Sequence, residues 1–271
     1  MLKVKDLKVY YKTNTGNIKA VDGVSFTVNE KEIFGIVGES GCGKSTLANG
    51  ILRLVSPPCI IESGEVVFKN INLMSLDEEQ LRAIRLKRVS YIPQSSMEAL
   101  NPVMKIEDQI ADGIQAHENI DKKEALKMVP PLLEEVGLPI ETSKMYPHEL
   151  SGGMKQRAII AIAMALRPEL LIADEPSTAL DVVVQRVVLQ FLMDLKEKYG
   201  SSLIVITHDI AVLSEISDRI AVMYAGKLVE LGPLKDIFKN PLHPYTQALI
   251  LATPSFEMDK KKGLKGLKGL P

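Results

Sequence analysis

Eight consecutive residues, Gly38-Glu39-Ser40-Gly41-Cys42-Gly43-Lys44-Ser45, constrain this chain more than any other feature. They match the phosphate-binding pattern G-x-x-x-x-G-K-[ST]. The flanks have the required character. Ile33-Phe34-Gly35-Ile36-Val37 is an apolar run short enough for a buried strand, and Thr46 to Leu54 has helical spacing. Glycines let a loop curl until several backbone N–H groups face one anion. The helix that follows adds the partial positive charge of its N-terminus. Lys44 has the reach for β- and γ-phosphates, and the Ser45 hydroxyl is a ligand type that Mg²⁺ accepts.

The remainder of the chain reads as an alternation of strands and helices around that loop. Leu2 to about Val28 has strand character with a turn at Thr13 to Asn17, and Gly64 to Lys69 is a further strand. Pro57 and Pro58 are expected to stop the helix after the phosphate loop. Leu76 to Leu86 is a polar helical stretch, and Val89 to Ile92 is a buried strand closed by Pro93-Gln94. From there to about Leu166 the pattern is helical, which predicts an insertion between strands of one sheet. Within it, Pro130-Pro131 predicts two short helices rather than one, because an interior proline costs about 3 kcal/mol. Glu169 to Ala173 and Ser202 to Ile206 are apolar on both faces, as strands of a covered parallel sheet are. Asp181 is placed to cap a long helix reaching Tyr199. Alternating strands and helices predict an α/β fold with a parallel sheet.

Composition narrows the functional classes. The 271 residues are 46% hydrophobic and 25% charged, with a net charge of −1, so bulk charge gives no case for a nucleic-acid or membrane-surface partner. No apolar run approaches the length of a membrane-spanning helix. The first residues alternate charged and apolar side chains and lack a signal-peptide core. Two cysteines, Cys42 and Cys59, form neither a zinc pattern nor a disulfide framework, which fits a reducing, cytoplasmic setting. The Lys- and Gly-rich stretch from Glu257 to Pro271 reads as a solvated linker.

Two more motifs carry chemistry. Leu170 to Ala173 leads into Asp174-Glu175, an acidic pair at a strand end. Asp174 is suited to hold Mg²⁺ through its water shell, and Glu175 to orient and deprotonate an attacking water. Leu150-Ser151-Gly152-Gly153-Met154 opens a helix with a good N-cap residue and two bare backbones, which makes a second anion-binding helix start. One phosphate tail does not need two such sites from one chain, so the second is expected to serve another copy of the fold.

Together these motifs resemble the ATP-binding subunits of the ABC transporter family, over nearly the whole chain. Ser151, Gly152 and Gly153 match the family signature, with Met154 where glutamine is most common. The resemblance implies a P-loop NTPase core with an N-terminal antiparallel β subdomain and an inserted helical subdomain. The expected division is 1–94 with 167–232 as the core, 95–166 as the helical subdomain, and 233–271 as a C-terminal extension and basic tail. It implies ATP and Mg²⁺ as ligands, with Gly38, Ser40, Gly41, Cys42, Gly43, Lys44, Ser45 and Thr46 around the phosphates. Ser45, Gln94 and Asp174 match the metal-binding positions, and Lys44, Glu175 and His208 the catalytic ones. Gln94 matches the family's glutamine loop, His208 its switch histidine, and Ala179-Leu180-Asp181 the loop that crosses the dimer interface. Tyr11 aligns with the aromatic that stacks on adenine. Tyr10 lies one position away, and strand alternation puts only one of them on the right face.

Val222 to Lys227, Pro241 to Leu249, and Gln94-Ser95 followed by Ala99 to Pro102 further resemble the oligopeptide/dipeptide importer subfamily. That implies a head-to-tail dimer with a second, different ATPase subunit, two transmembrane permease subunits, and indirect service to an extracytoplasmic solute-binding protein. It also implies a peripheral position on the cytoplasmic face of the membrane. Many subfamily members continue past a Gly-Leu-Pro like that at 269–271 into a cysteine-containing tail that can hold an iron–sulfur cluster. No cluster is expected from the cysteines of this sequence. Oligosaccharide import, or an ATPase outside transport such as that of iron–sulfur assembly, are the alternative readings.

Overall fold

The computed structural model describes residues 1–178 and 180–252. The linker read at 257–271 and Ala179 of the expected interface loop lie outside the described residues. The chain divides into two units, Met1–Leu76 with Ile204 onward, and Asp77–Leu203.

The first unit opens with a hairpin, β1 (Leu2–Thr13) and β2 (Gly16–Val28). Its turn is tight because Thr13 donates its hydroxyl to Gly16 O at 2.6 Å and Gly16 takes a left-handed φ of 132°. β3 (Ile33–Val37) is buried along its whole length and runs into the phosphate loop. The helix α1 (Lys44–Ile51) follows. It ends well before Pro57. Arg53 turns left-handed at φ 53°, and the Leu52, Arg53 and Leu54 N–H groups return to carbonyls of the last turn. The expected proline stop is therefore corrected to a backbone reversal four residues earlier. β4 (Cys59–Phe68) begins ahead of the predicted Gly64 and pairs antiparallel with β1. Gly64, at φ 120°, is where the β1–β4 register shifts; a Cβ there would sit 2.5 Å from Leu7 Cα. β5 (Ile71–Asn72) completes a sheet ordered β2-β1-β4-β5.

The second unit begins with α2 (Glu78–Ile84), held by a capping box between Asp77 and Gln80. β6 (Val89–Ile92) is its first strand. α3 (Ile106–Gln115) buries Ile106, Ile110 and Ile114, one stripe at four-residue spacing. α4 (Lys122–Glu135) is a single helix that contains both Pro130 and Pro131, so the two-helix expectation is corrected. Ala125, Val129 and Leu133 continue one buried stripe in phase through the prolines, while Pro131 is exposed. Burial of that stripe offsets the missing N–H donors. α5 (Gly152–Met164), β7 (Leu170–Asp174) and α6 (Val182–Tyr199) follow, and β6 and β7 pair in parallel.

The chain then returns through β8 (Ser202–Thr207), α7 (Ile210–Ile216), β9 (Arg219–Tyr224), β10 (Lys227–Pro233), α8 (Leu234–Lys239) and α9 (Pro244–Ala252). β3 pairs in parallel with β9, and β9 in turn forms an antiparallel hairpin with β10. Among the described residues no helix is long and apolar enough to cross a membrane.

Candidate nucleotide site

In the first unit the loop between β3 and α1 owes its shape to its glycines. A Cβ on Gly38 would lie 2.1 Å from Met223 O, and one on Gly43 would lie 2.0 Å from Ala20 O. Neither backbone approach tolerates a side chain. Gly41, at φ 83°, faces open space. Gly43 starts α1 in a left-handed conformation and no side chain caps the helix, an arrangement suited to an anion at the helix start. Lys44 is 5% exposed, and its ammonium donates to Gly38 O at 2.7 Å and Glu39 O at 2.8 Å. A cationic donor thus sits inside a bare-backbone curl, and this donor set fits a phosphate chain.

Cys42 lies in the loop with its thiol turned inward and buried, 3.8 Å from Lys44 Nζ. Burial pushes the thiol pKa up, against the pull of the Lys44 charge. Its carbonyl accepts from Gly226 N at 3.0 Å.

The neighbouring tyrosines separate cleanly. Tyr10 is buried and donates its hydroxyl to Asp22 at 2.8 Å, a bond that pushes its phenol up to about 12. Tyr11 is only half-buried, and its hydroxyl pairs with Thr46 Oγ1 at 3.2 Å, on the first turn of α1. His208 is exposed just past β8, ahead of Asp209, whose carboxylate caps α7 through Ala211 N.

In the second unit Asp174 ends β7 fully buried, and Tyr91 of β6 donates its hydroxyl to it at 3.2 Å. Burial first, then the Asp174 charge, pushes the Tyr91 phenol far up. Glu175 follows in a left-handed conformation, φ 49°, which costs a non-glycine residue about 1–3 kcal/mol. That carboxylate accepts from Gln94 Nε2 at 3.2 Å and Thr178 Oγ1 at 2.8 Å. The backbone bond from Thr178 N to Glu175 O, 3.1 Å, closes the turn.

Ser151 caps α5, accepting from Met154 N at 3.4 Å. Gly153 leaves room for α6: a Cβ there would sit 2.7 Å from Val184 Cγ1. Asp181 caps α6 through Val183 N and Val184 N, both at 3.0 Å. Ser151, Gly152, Gly153, Leu180 and Asp181 line one shallow pocket of this unit.

Sequence reasoning passed over Tyr91, Thr178 and Tyr245. A tyrosine inside a buried strand must find a partner for its hydroxyl, so Tyr91 carried a readable signal. Thr178 and Tyr245 gave none, since their partners depend on turn geometry and on a contact across 206 residues of sequence.

The family model described as ABC transporter matches residues 21–178, and that described as the C-terminal region of oligopeptide/dipeptide transporters matches residues 229–271. The chain belongs to the ABC transporter family, whose nucleotide-binding subunits bind and hydrolyse ATP. It is 43% identical to the oligopeptide transport ATP-binding protein OppD of Bacillus subtilis, over all of this chain and 76% of that protein. It is also 43% identical to the dipeptide transport ATP-binding protein DppD of Haemophilus influenzae, over all of this chain and 82% of that protein. Among solved structures, an ATP-binding cassette captured as a dimer after hydrolysis, bound to ADP and Pi, superposes with a TM-score of 0.77 at 30% identity. That match covers 86% of this chain and 99% of the cassette.

Proposed function

We infer that this chain is the ATP-hydrolysing subunit of a peptide importer. The observation that carries the reading is the Lys44 ammonium held inside a glycine curl at the start of α1. Similarity to oligopeptide and dipeptide transport proteins over the full chain supports peptide as the cargo class. The partners in this reading are a second ATPase subunit, two permease subunits and, indirectly, a solute-binding protein, with the chain peripheral on the cytoplasmic face of the membrane.

The residue roles follow from their chemistry. Lys44 and the loop amides from Gly38 to Thr46 hold the phosphate chain of ATP, and Tyr11 offers the aromatic face for adenine. Ser45, Gln94 and Asp174 supply hydroxyl, amide and carboxylate oxygens, the hard ligands that Mg²⁺ takes. The metal would neutralise charge on the β- and γ-phosphates. Glu175 is the general base, kept oriented by Gln94 and Thr178. His208, exposed at the end of β8, contacts the γ-phosphate. Ser151, Gly152 and Gly153 present a second helix start to the nucleotide of the partner subunit.

Lys44→Ala tests the reading. ATP binding in a direct titration should weaken strongly and hydrolysis should vanish. Wild-type affinity would remove the loop from its assigned role.

A further inference from the structure

The C-terminal part of the chain is tied to the phosphate loop at two points. Tyr245, on the first turn of α9, accepts a hydrogen bond at its phenolic oxygen from the Glu39 backbone N–H, 3.0 Å away. Its ring lies against that of Tyr224, centroids 4.6 Å apart, at the end of β9. The turn after Tyr224 supplies the second tie, from Gly226 N to Cys42 O. The segment that carries Tyr245 is itself fixed. The Glu230 carboxylate accepts from Leu242 N at 2.8 Å and His243 N at 3.0 Å, and His243 Nδ1 accepts from Tyr245 N at 3.2 Å. Burial pushes the Tyr245 phenol up to about 12, so the hydroxyl is neutral at any working pH.

Glu39 joins this contact to the chemistry. Its N–H is held by Tyr245, and its carbonyl accepts from the Lys44 ammonium at 2.8 Å. One residue, Glu39, therefore separates the phenol of the C-terminal segment from the cation of the loop.

We propose that Tyr245 is a positioning residue of the phosphate loop, acting through Glu39 on Lys44, so that its phenolic acceptor sets part of the affinity for the nucleoside triphosphate. The inference rests on the phosphate-loop reading above. Tyr245→Phe keeps the ring on Tyr224 and removes the acceptor. Its effect belongs to binding, because the hydroxyl touches the loop that holds the phosphates.

The test is made on the full chain with four measurements. These are ATP affinity by titration, thermal stability, amide exchange at Glu39 without nucleotide, and steady-state hydrolysis with the partner subunits present. Tyr245→Phe should bind ATP about three- to tenfold more weakly, the fold-change of one neutral hydrogen bond. KM should rise with it while kcat stays within about twofold. Exchange at the Glu39 amide should quicken by a similar factor. Gln247→Ala breaks only a local bond to Pro241 O and should leave ATP affinity unchanged. A Tyr245→Phe chain with wild-type affinity, or a Gln247→Ala chain weakened as much, would overturn the inference. So would rapid exchange of the Glu39 amide in the wild-type chain, a result that needs no variant to fold. Lys44→Ala, run alongside, separates the two readings. If it loses ATP while Tyr245→Phe does not, only the role of Tyr245 falls; if it keeps ATP, the phosphate-loop reading falls as well.

Discussion

Glu175 stands in a left-handed backbone at the end of a buried strand, with two neutral donors on its carboxylate. The structure tolerates strain at that residue and orients one acid with it. If Glu175 is the general base, Glu175→Gln should keep ATP binding while single-turnover hydrolysis falls about 10²–10⁴-fold. Near-normal hydrolysis would shift the role to another group, with His208 the first to examine. Tyr91 makes a different prediction. Tyr91→Phe deprives the buried Asp174 carboxylate of a donor and should lower unfolding stability by about 1.5–3 kcal/mol, read from a denaturant midpoint. An unchanged midpoint would mean that the bond contributes nothing net.

Among elements, caps fix helix starts, while α1 ends ahead of its prolines and α4 runs through its own. Asp181 accepts from two N–H groups at the start of α6, so Asp181→Ala should destabilise by about 1 kcal/mol. Pro131 lies exposed inside α4, where it denies the Lys127 carbonyl a donor. Pro131→Ala should raise the Tm, and a lower Tm would mean that the fixed φ of proline outweighs the missing bond. These two helices show what was legible in the sequence. The cap at Asp181 and the end at Tyr199 follow from local chemistry, as do strand β3, the glycine loop and helix α1. The continuity of α4 does not, because it depends on Ala125, Val129 and Leu133 finding a common core. The same holds for the Tyr11 and Tyr10 pair. Alternation says that one faces in, and only the Asp22 carboxylate beside Tyr10 says which.

For the whole molecule, the proposed roles divide between two units. Lys44 and His208 belong to the first, and Gln94, Ser151, Asp174 and Glu175 to the second. In the proposed reading, nucleotide-driven pairing with a partner subunit is the mechanical step, and slowing hydrolysis should prolong it. Glu175→Gln with its partner should therefore elute as a larger species when ATP and Mg²⁺ are added, and elution unchanged by nucleotide would count against that step. The importer reading is tested by peptide uptake into sealed vesicles carrying the assembled transporter, with ATP on the side of this subunit. Uptake of a labelled oligopeptide should depend on ATP and be lost with Glu175→Gln and with Lys44→Ala. Uptake that persists in both variants, or wild-type vesicles that move an oligosaccharide and no peptide, would contradict it.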